Sequence, residues 1–220
     1  MITVATNPAT GHTESPATHR ARTRLLIVDD HAAVRAGLRD LLEDEADFDV
    51  VASVASAEDA MLVAEREAID LAVVDYQLGG RNGLWLSRKL KRLARPPAVL
   101  IYSAYADGVL AAAAVVAEAD GIVSKGALGS ELCEAIRGVT HGQHRLRPMP
   151  PWLGDTLRSR LSHKEQAIFG MQLAGFTPAK IAETLDMSAG GLESRLWAML
   201  RRLEAPGSEP RLADTANHAA

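Results

Sequence analysis

From Arg24 onward, short runs of aliphatic and β-branched residues alternate with longer stretches in which apolar positions recur every three or four residues. That alternation is the pattern of a parallel sheet covered by helices on both faces. Strands are predicted at residues 24–28, 50–54, 71–74, 98–102 and 121–124, each a short run bounded by polar or turn residues. Helical patterns begin near Ala32, Ala57, Gly83, Asp107 and Leu128. The periodicity ends near Thr140, where His141, Gly142 and then Pro148, Pro150 and Pro151 interrupt it. Residues 141–160 therefore read as a linker. Beyond it, residues 161–204 read as three helices with tight joints: Ser162 caps the first, Gly175 ends it, Thr177-Pro178 opens the second and Ser188 the third. Two helices joined by only Leu185-Asp186-Met187-Ser188 form a helix-turn-helix pattern. Ile168, Met171, Ile181, Leu185, Leu192, Leu196 and Leu200 fall at inward-facing helical spacings and need no ligand to explain them.

The fold class is thus α/β: a doubly wound, five-stranded parallel sheet over residues 22–140, followed by a small all-α domain. Residues 1–21 and 205–220 lack a sustained periodic pattern and are expected to be a disordered tail and a flexible tail. With 220 residues and 47% hydrophobic content, the chain can bury two small cores. Charge divides along the same boundary. Residues 21–140 hold 13 Lys and Arg against 19 Asp and Glu, whereas residues 141–204 hold 9 against 6. The second segment has the sign a nucleic-acid partner requires, well below a strongly basic footprint. No secretory leader or membrane-length apolar run is legible, so the expected location is the cytoplasm, without membrane association. The single cysteine, Cys133, sits among apolar positions and reads as a buried structural thiol.

In an open parallel sheet, ligands gather outside the carboxyl ends of the strands. Those ends carry Asp29-Asp30, Asp75, Ser103 and Lys125. Converging carboxylates repel one another unless a hard divalent cation holds them, and Mg²⁺ prefers carboxylate oxygens and water. With that charge neutralised, one carboxylate can attack a phosphoryl group, while an ammonium and a hydroxyl pair with the transferred oxygens. Taken singly, each residue has a bland role as a cap, a turn residue or a solvated charge. Their joint placement is what points to chemistry.

These residues resemble the active site of response-regulator receiver domains, with their flavodoxin-like fold. The matching pieces are Leu25-Leu26-Ile27-Val28-Asp29-Asp30-His31, Asp70-Leu71-Ala72-Val73-Val74-Asp75 with Gly83 downstream, Ser103-Ala104, and Asp120-Gly121-Ile122-Val123-Ser124-Lys125. The resemblance implies that Asp75 is the phospho-acceptor. It further implies that Asp29, Asp30, Asp75 and the carbonyl of Gln77 hold Mg²⁺, that Ser103 is the switch hydroxyl, and that Lys125 contacts the phosphoryl group. Such a domain catalyses only its own phosphorylation and dephosphorylation, so no separate enzyme activity is expected. Three departures stand out. Gly79-Gly80 replaces a frequent proline, which should loosen the acceptor loop. The position of the family's switch aromatic is Ile122, leaving Tyr102 or Tyr105 as substitutes, although a tyrosine with no switching role is the commoner case. Gly126 follows the lysine, a common variation.

Residues 161–204 resemble the LuxR-type helix-turn-helix of NarL/FixJ-class response regulators through Leu161-Ser162-His163-Lys164-Glu165, the run from Ala174 to Leu185, Met187-Ser188, and Leu196 with Leu200-Arg201-Arg202-Leu203. The resemblance implies transcription control by a cytoplasmic regulator phosphorylated by a sensor histidine kinase, with paired DNA half-sites and homodimers. Candidate DNA contacts are Lys180, Ser194, Arg195, Arg201 and Arg202, with Arg195 able to read a guanine. The recognition helix departs from the pattern, reading Gly191, Leu192, Glu193 and Arg195. A glutamate facing phosphates is repelled unless it accepts from a cytosine amino group. The family's fourth, dimerising helix is also missing. A second reading is therefore a phosphorylation-switched protein-interaction module or phosphate sink. A third, a metal-dependent hydrolase, is weaker because no base stands at an expected strand end; His31 is expected to face the following helix.

Overall fold

The structure, a computed structural model, describes residues 22–104, 108–143 and 153–204. Five strands, β1 (Thr23–Val28), β2 (Phe48–Val54), β3 (Leu71–Asp75), β4 (Ala98–Ser103) and β5 (Gly121–Ser124), form one parallel sheet in the order β2-β1-β3-β4-β5. The strand order reverses between β1 and β3, and there the C-terminal strand ends open a crevice. β2 begins earlier than the sequence pattern predicts because Phe48, fully buried, extends the alternation one pair upstream.

The crossovers are α1 (Ala32–Glu43), α2 (Ala57–Arg66), α3 (Gly83–Leu90), α4 (Gly108–Val116) and α5 (Gly129–Thr140). Leu25, Ile27, Leu38, Leu42, Leu132 and Ile136 build the core on the α1 and α5 side, which also encloses Cys133. The other face receives α2, α3 and α4, and its core continues without a break into the C-terminal helices. These are α6 (Leu153–Arg160), α7 (His163–Leu173), α8 (Pro178–Thr184) and α9 (Ala189–Glu204).

The expected linker needs correction. Its second half is α6, with Leu153 buried and Leu157 packed on the core. Leu153, Leu157 and Leu161 recur at helical spacing, which is the signal the prolines obscured. The predicted tails at 1–21 and 205–220, residues 144–152 of the linker, Tyr105, and the start of a helix at Asp107 lie outside the described residues.

Local chemistry sets the helix-turn-helix. Ser162 donates its backbone N–H and hydroxyl to the Glu165 carboxylate at the start of α7. Thr177 accepts from the Lys180 N–H at the start of α8, where Pro178 has no N–H to lose. Asp186, at φ 49°, turns the chain between α8 and α9.

Helix α4 has an unusual surface. Residues 108–117 contain no charge, and Leu110 through Ala117 are all buried. A helix apolar all round must be covered on both sides. The sheet covers one side of α4, and α9 together with α7 covers the other.

Candidate functional site

Asp29 follows β1 and Asp75 ends β3, so the two acids flank the crevice where the strand order reverses. Both are buried. Lys125, just past β5, places Nζ 2.6 Å from Asp29 Oδ2 and 2.9 Å from Asp75 Oδ2. Its backbone N–H donates to the Ser103 carbonyl at 2.8 Å, which sets the β4 and β5 ends side by side. Ser103 itself is buried at the end of β4. The Gln77 N–H donates to Asp75 Oδ1 at 3.3 Å, curling the loop after β3 over the carboxylate. The β3 end is also where α3 starts. A Cβ on Gly83 would stand 2.2 Å from the Asp75 carbonyl oxygen, so only glycine lets α3 begin against the end of β3.

Burial raises the Asp75 carboxyl above its ordinary value. The Lys125 hydrogen bond lowers it, and the Asp29 charge adds to the rise. For Lys125, burial lowers the pKa, but the hydrogen bonds to Asp29 and Asp75 outweigh it and the ammonium is raised.

His31 is the residue the sequence reading misplaced. Its ring does not turn to the helix that follows: Nδ1 lies 2.6 Å from Asp30 Oδ1 and 3.4 Å from Asp29 Oδ1. Its N–H also donates to Asp29 Oδ1. One ligand atom from each of Asp29, Asp30, His31 and Asp75 falls within 4.8 Å of the others. Three carboxylates against the single ammonium of Lys125 leave excess negative charge, and this oxygen-rich set fits a hard divalent cation.

Comparison with known proteins agrees with this geometry. Residues 25–137, more than half of the chain, match the family model of the response regulator receiver domain. The response regulator UvrY of Escherichia coli (strain K12) is 31% identical over 193 residues, covering 83% of this chain and 88% of UvrY. The DNA-binding transcriptional activator DevR/DosR of Mycobacterium tuberculosis is 31% identical over 192 residues, covering 82% and 88%. The chain belongs to the two-component response regulators. Its architecture is that of the NarL/FixJ class. A LuxR-family response regulator from Aurantimonas sp. SI85-9A1 superposes with a TM-score of 0.55 at 28% identity, over 64% of this chain and all of that one. The RcsB response regulator of Salmonella typhimurium gives 0.52 at 21% identity over 84% and 94%, a likeness of fold alone. No helix among the described residues is long and apolar enough to cross a membrane.

At the output end of this response regulator the candidate DNA residues differ in what they contact. Lys180 pairs with Glu183 at 3.0 Å on the exposed face of α8. The Ser194 hydroxyl donates to the Gly190 carbonyl within α9, Arg195 is half-buried, and Arg201 is exposed. Arg202 is tied to the buried Glu165 carboxylate and so holds α9 to α7. Burial raises the Glu165 carboxyl, but hydrogen bonds from Ser162 and Arg202 overcome that and hold it low.

Glu193 faces the receiver. Its carboxylate accepts from Arg88, which is fully buried on α3, and from Arg92 at 2.9 Å. Both guanidiniums share Glu118 as a second counter-charge. Burial raises the Glu193 carboxyl, while the Arg88 and Arg92 hydrogen bonds more than reverse it. Trp197, one turn along α9, stacks on Arg88 with 5.3 Å from Cζ to ring centroid. A partner about a hundred residues away in sequence leaves no local signal, which is why this cluster was not legible.

Proposed function

We propose that this response regulator accepts a phosphoryl group on Asp75 from a sensor histidine kinase and thereby controls transcription through DNA binding by α8 and α9. The observation that carries this reading is the buried Asp75 carboxylate beside Lys125, Asp29 and Ser103 at the strand-order reversal. A carboxylate oxygen of Asp75 attacks the phosphorus in line, forming an O–P bond as the donor's N–P bond breaks. Lys125 shifts its hydrogen bond from Asp75 to the incoming phosphoryl oxygens, and the Ser103 hydroxyl donates to another of them. Asp29, Asp30, Asp75 and the Gln77 carbonyl would hold Mg²⁺, which when bound would neutralise the charge facing an anionic donor. Asp75 is buried and so partly desolvated, which makes it a better nucleophile than a hydrated carboxylate.

For output, Lys180, Arg195 and Arg201 are the phosphate-contacting cations, and the Ser194 hydroxyl is a further contact. Arg202 serves only as far as its tie to Glu165 allows. Glu193, pointed at the receiver, does not have to read a base. Paired half-sites and a homodimer on phosphorylation accompany this reading, and the protein works in the cytoplasm, where kinase and DNA are both met. One observation favours a second reading, a phosphorylation-switched protein-interaction module: α9 makes its best-matched contacts with protein, through Glu193 and Trp197.

The test is transfer of label from acetyl phosphate in the presence of Mg²⁺. The proposal expects one acid-stable, base-labile phosphoryl group on the wild type and none on Asp75→Ala. Label that survives in Asp75→Ala would overturn it.

A further inference from the structure

The helix that would read DNA is fastened to the receiver at both ends, by α3, its N-cap and the turn that follows it. At the start of α9, Glu193 meets Arg88 and Arg92. At its end, Glu204 accepts a 2.7 Å hydrogen bond from the side-chain amide of Asn82, the residue that caps α3. The two stretches run in opposite directions: the start of α9 meets the end of α3 and the turn after it, and the end of α9 meets the α3 N-cap. Arg88 depends on this clasp, because a buried guanidinium with an unpartnered Nε needs every counter-charge it has.

The other end of the relay is the acceptor. Asn82 accepts from the Trp85 N–H as the cap of α3, and the next residue, Gly83, sits against the Asp75 carbonyl while donating to the Tyr76 carbonyl at 2.9 Å. The loop that would close on a phosphoryl group runs from Tyr76 to Asn82 with no helix between. The alternative route along β5 lacks its usual moving part: Ile122 is buried in the core and has no ring to rotate.

We propose that α3 is the signal relay of this protein: Asn82–Glu204 and the Arg88/Arg92–Glu193 ion pairs clasp α9 over the apolar helix α4, and a phosphoryl group at Asp75 opens the clasp through Asn82. This rests on the reading of Asp75 as phospho-acceptor. Glu193 is then a docking residue selected for the receiver, which accounts for a carboxylate on a helix meant for a polyanion.

The experiment is hydrogen–deuterium exchange of the full-length protein, followed in peptides covering residues 108–117 and 189–204, with and without beryllofluoride. Fluorine NMR of the bound mimic reports occupancy independently. Without mimic, Glu193→Gln and Glu204→Ala are expected to speed exchange in both segments by about tenfold, the effect of losing one charge-assisted hydrogen bond. Protection of β1 and β3 should stay unchanged, which shows that the fold is intact. Adding the mimic should open the wild type and Ile122→Val alike. In Asn82→Ala, the ratio of exchange with and without mimic should fall to about one. Wild-type exchange rates in both Glu193→Gln and Glu204→Ala would overturn the clasp. An undiminished mimic effect in Asn82→Ala would overturn the relay. A wild type with no bound fluorine signal would overturn the Asp75 reading and the opening step, while the mimic-free comparison would still decide the clasp.

Discussion

Two carboxylates of this chain are pushed in opposite directions, and each makes a prediction. Asp75 is raised by burial and by the Asp29 charge. A carboxyl raised in the folded state stabilises the fold below its unfolded value of 3.8, and that contribution is lost as pH rises through the higher folded value. At neutral pH its ionised form therefore costs stability. Asp75→Asn is expected to raise the urea unfolding free energy by about 1 kcal/mol in Mg²⁺-free buffer; an unchanged or lower value would count against this account. Glu165 is the converse case. Held low by Ser162 and Arg202, it stabilises the C-terminal helices above its ordinary value of 4.5 and ceases to do so as pH falls below it. Glu165→Gln should cost about 1–3 kcal/mol at pH 7 and shrink the acid-induced loss seen by the wild type, since no carboxylate is left to protonate. Equal stability of the two proteins at pH 7 would contradict that.

At the scale of elements, packing decides what periodicity could not. The five strands and five crossover helices were legible because their apolar spacing is regular and Asp29, Asp75, Ser103 and Lys125 stand at corresponding strand ends. Helix α6 was hidden by the prolines before it and by its polar run Asp155, Thr156, Arg158, Ser159 and Arg160. Only the leucine spacing marked it. The full meaning of α4 was also out of reach. Its unbroken apolar run requires a second covering layer, but nothing local says that α9 supplies it. The α3 start carries the sharpest test at this scale. Gly83→Ala would force a methyl group onto the Asp75 carbonyl, and the backbone must move. The expected cost is about 1–3 kcal/mol in thermal unfolding, together with slower labelling by acetyl phosphate. Wild-type stability and wild-type labelling would show that α3 is not seated on the acceptor as described.

Across the whole molecule, one apolar core runs from the sheet through α4 into α7, α8 and α9, and an ionic cluster of Arg88, Arg92, Glu118 and Glu193 rims the boundary. In this arrangement the output helix is packed against its own receiver, so on the proposed function DNA binding and receiver docking would compete for the same helix. On that proposal phosphorylation would act as a gate, because whatever lowers the affinity of α9 for α4 raises its availability by the same factor. The most direct test is selection from random-sequence DNA by the purified full-length protein at one stated salt concentration, with and without beryllofluoride. The account predicts an enriched motif of paired half-sites that is strong with the mimic and weak without it. No enrichment from protein shown to bind the mimic would contradict phosphorylation-gated DNA binding and leave α9 as a surface for proteins.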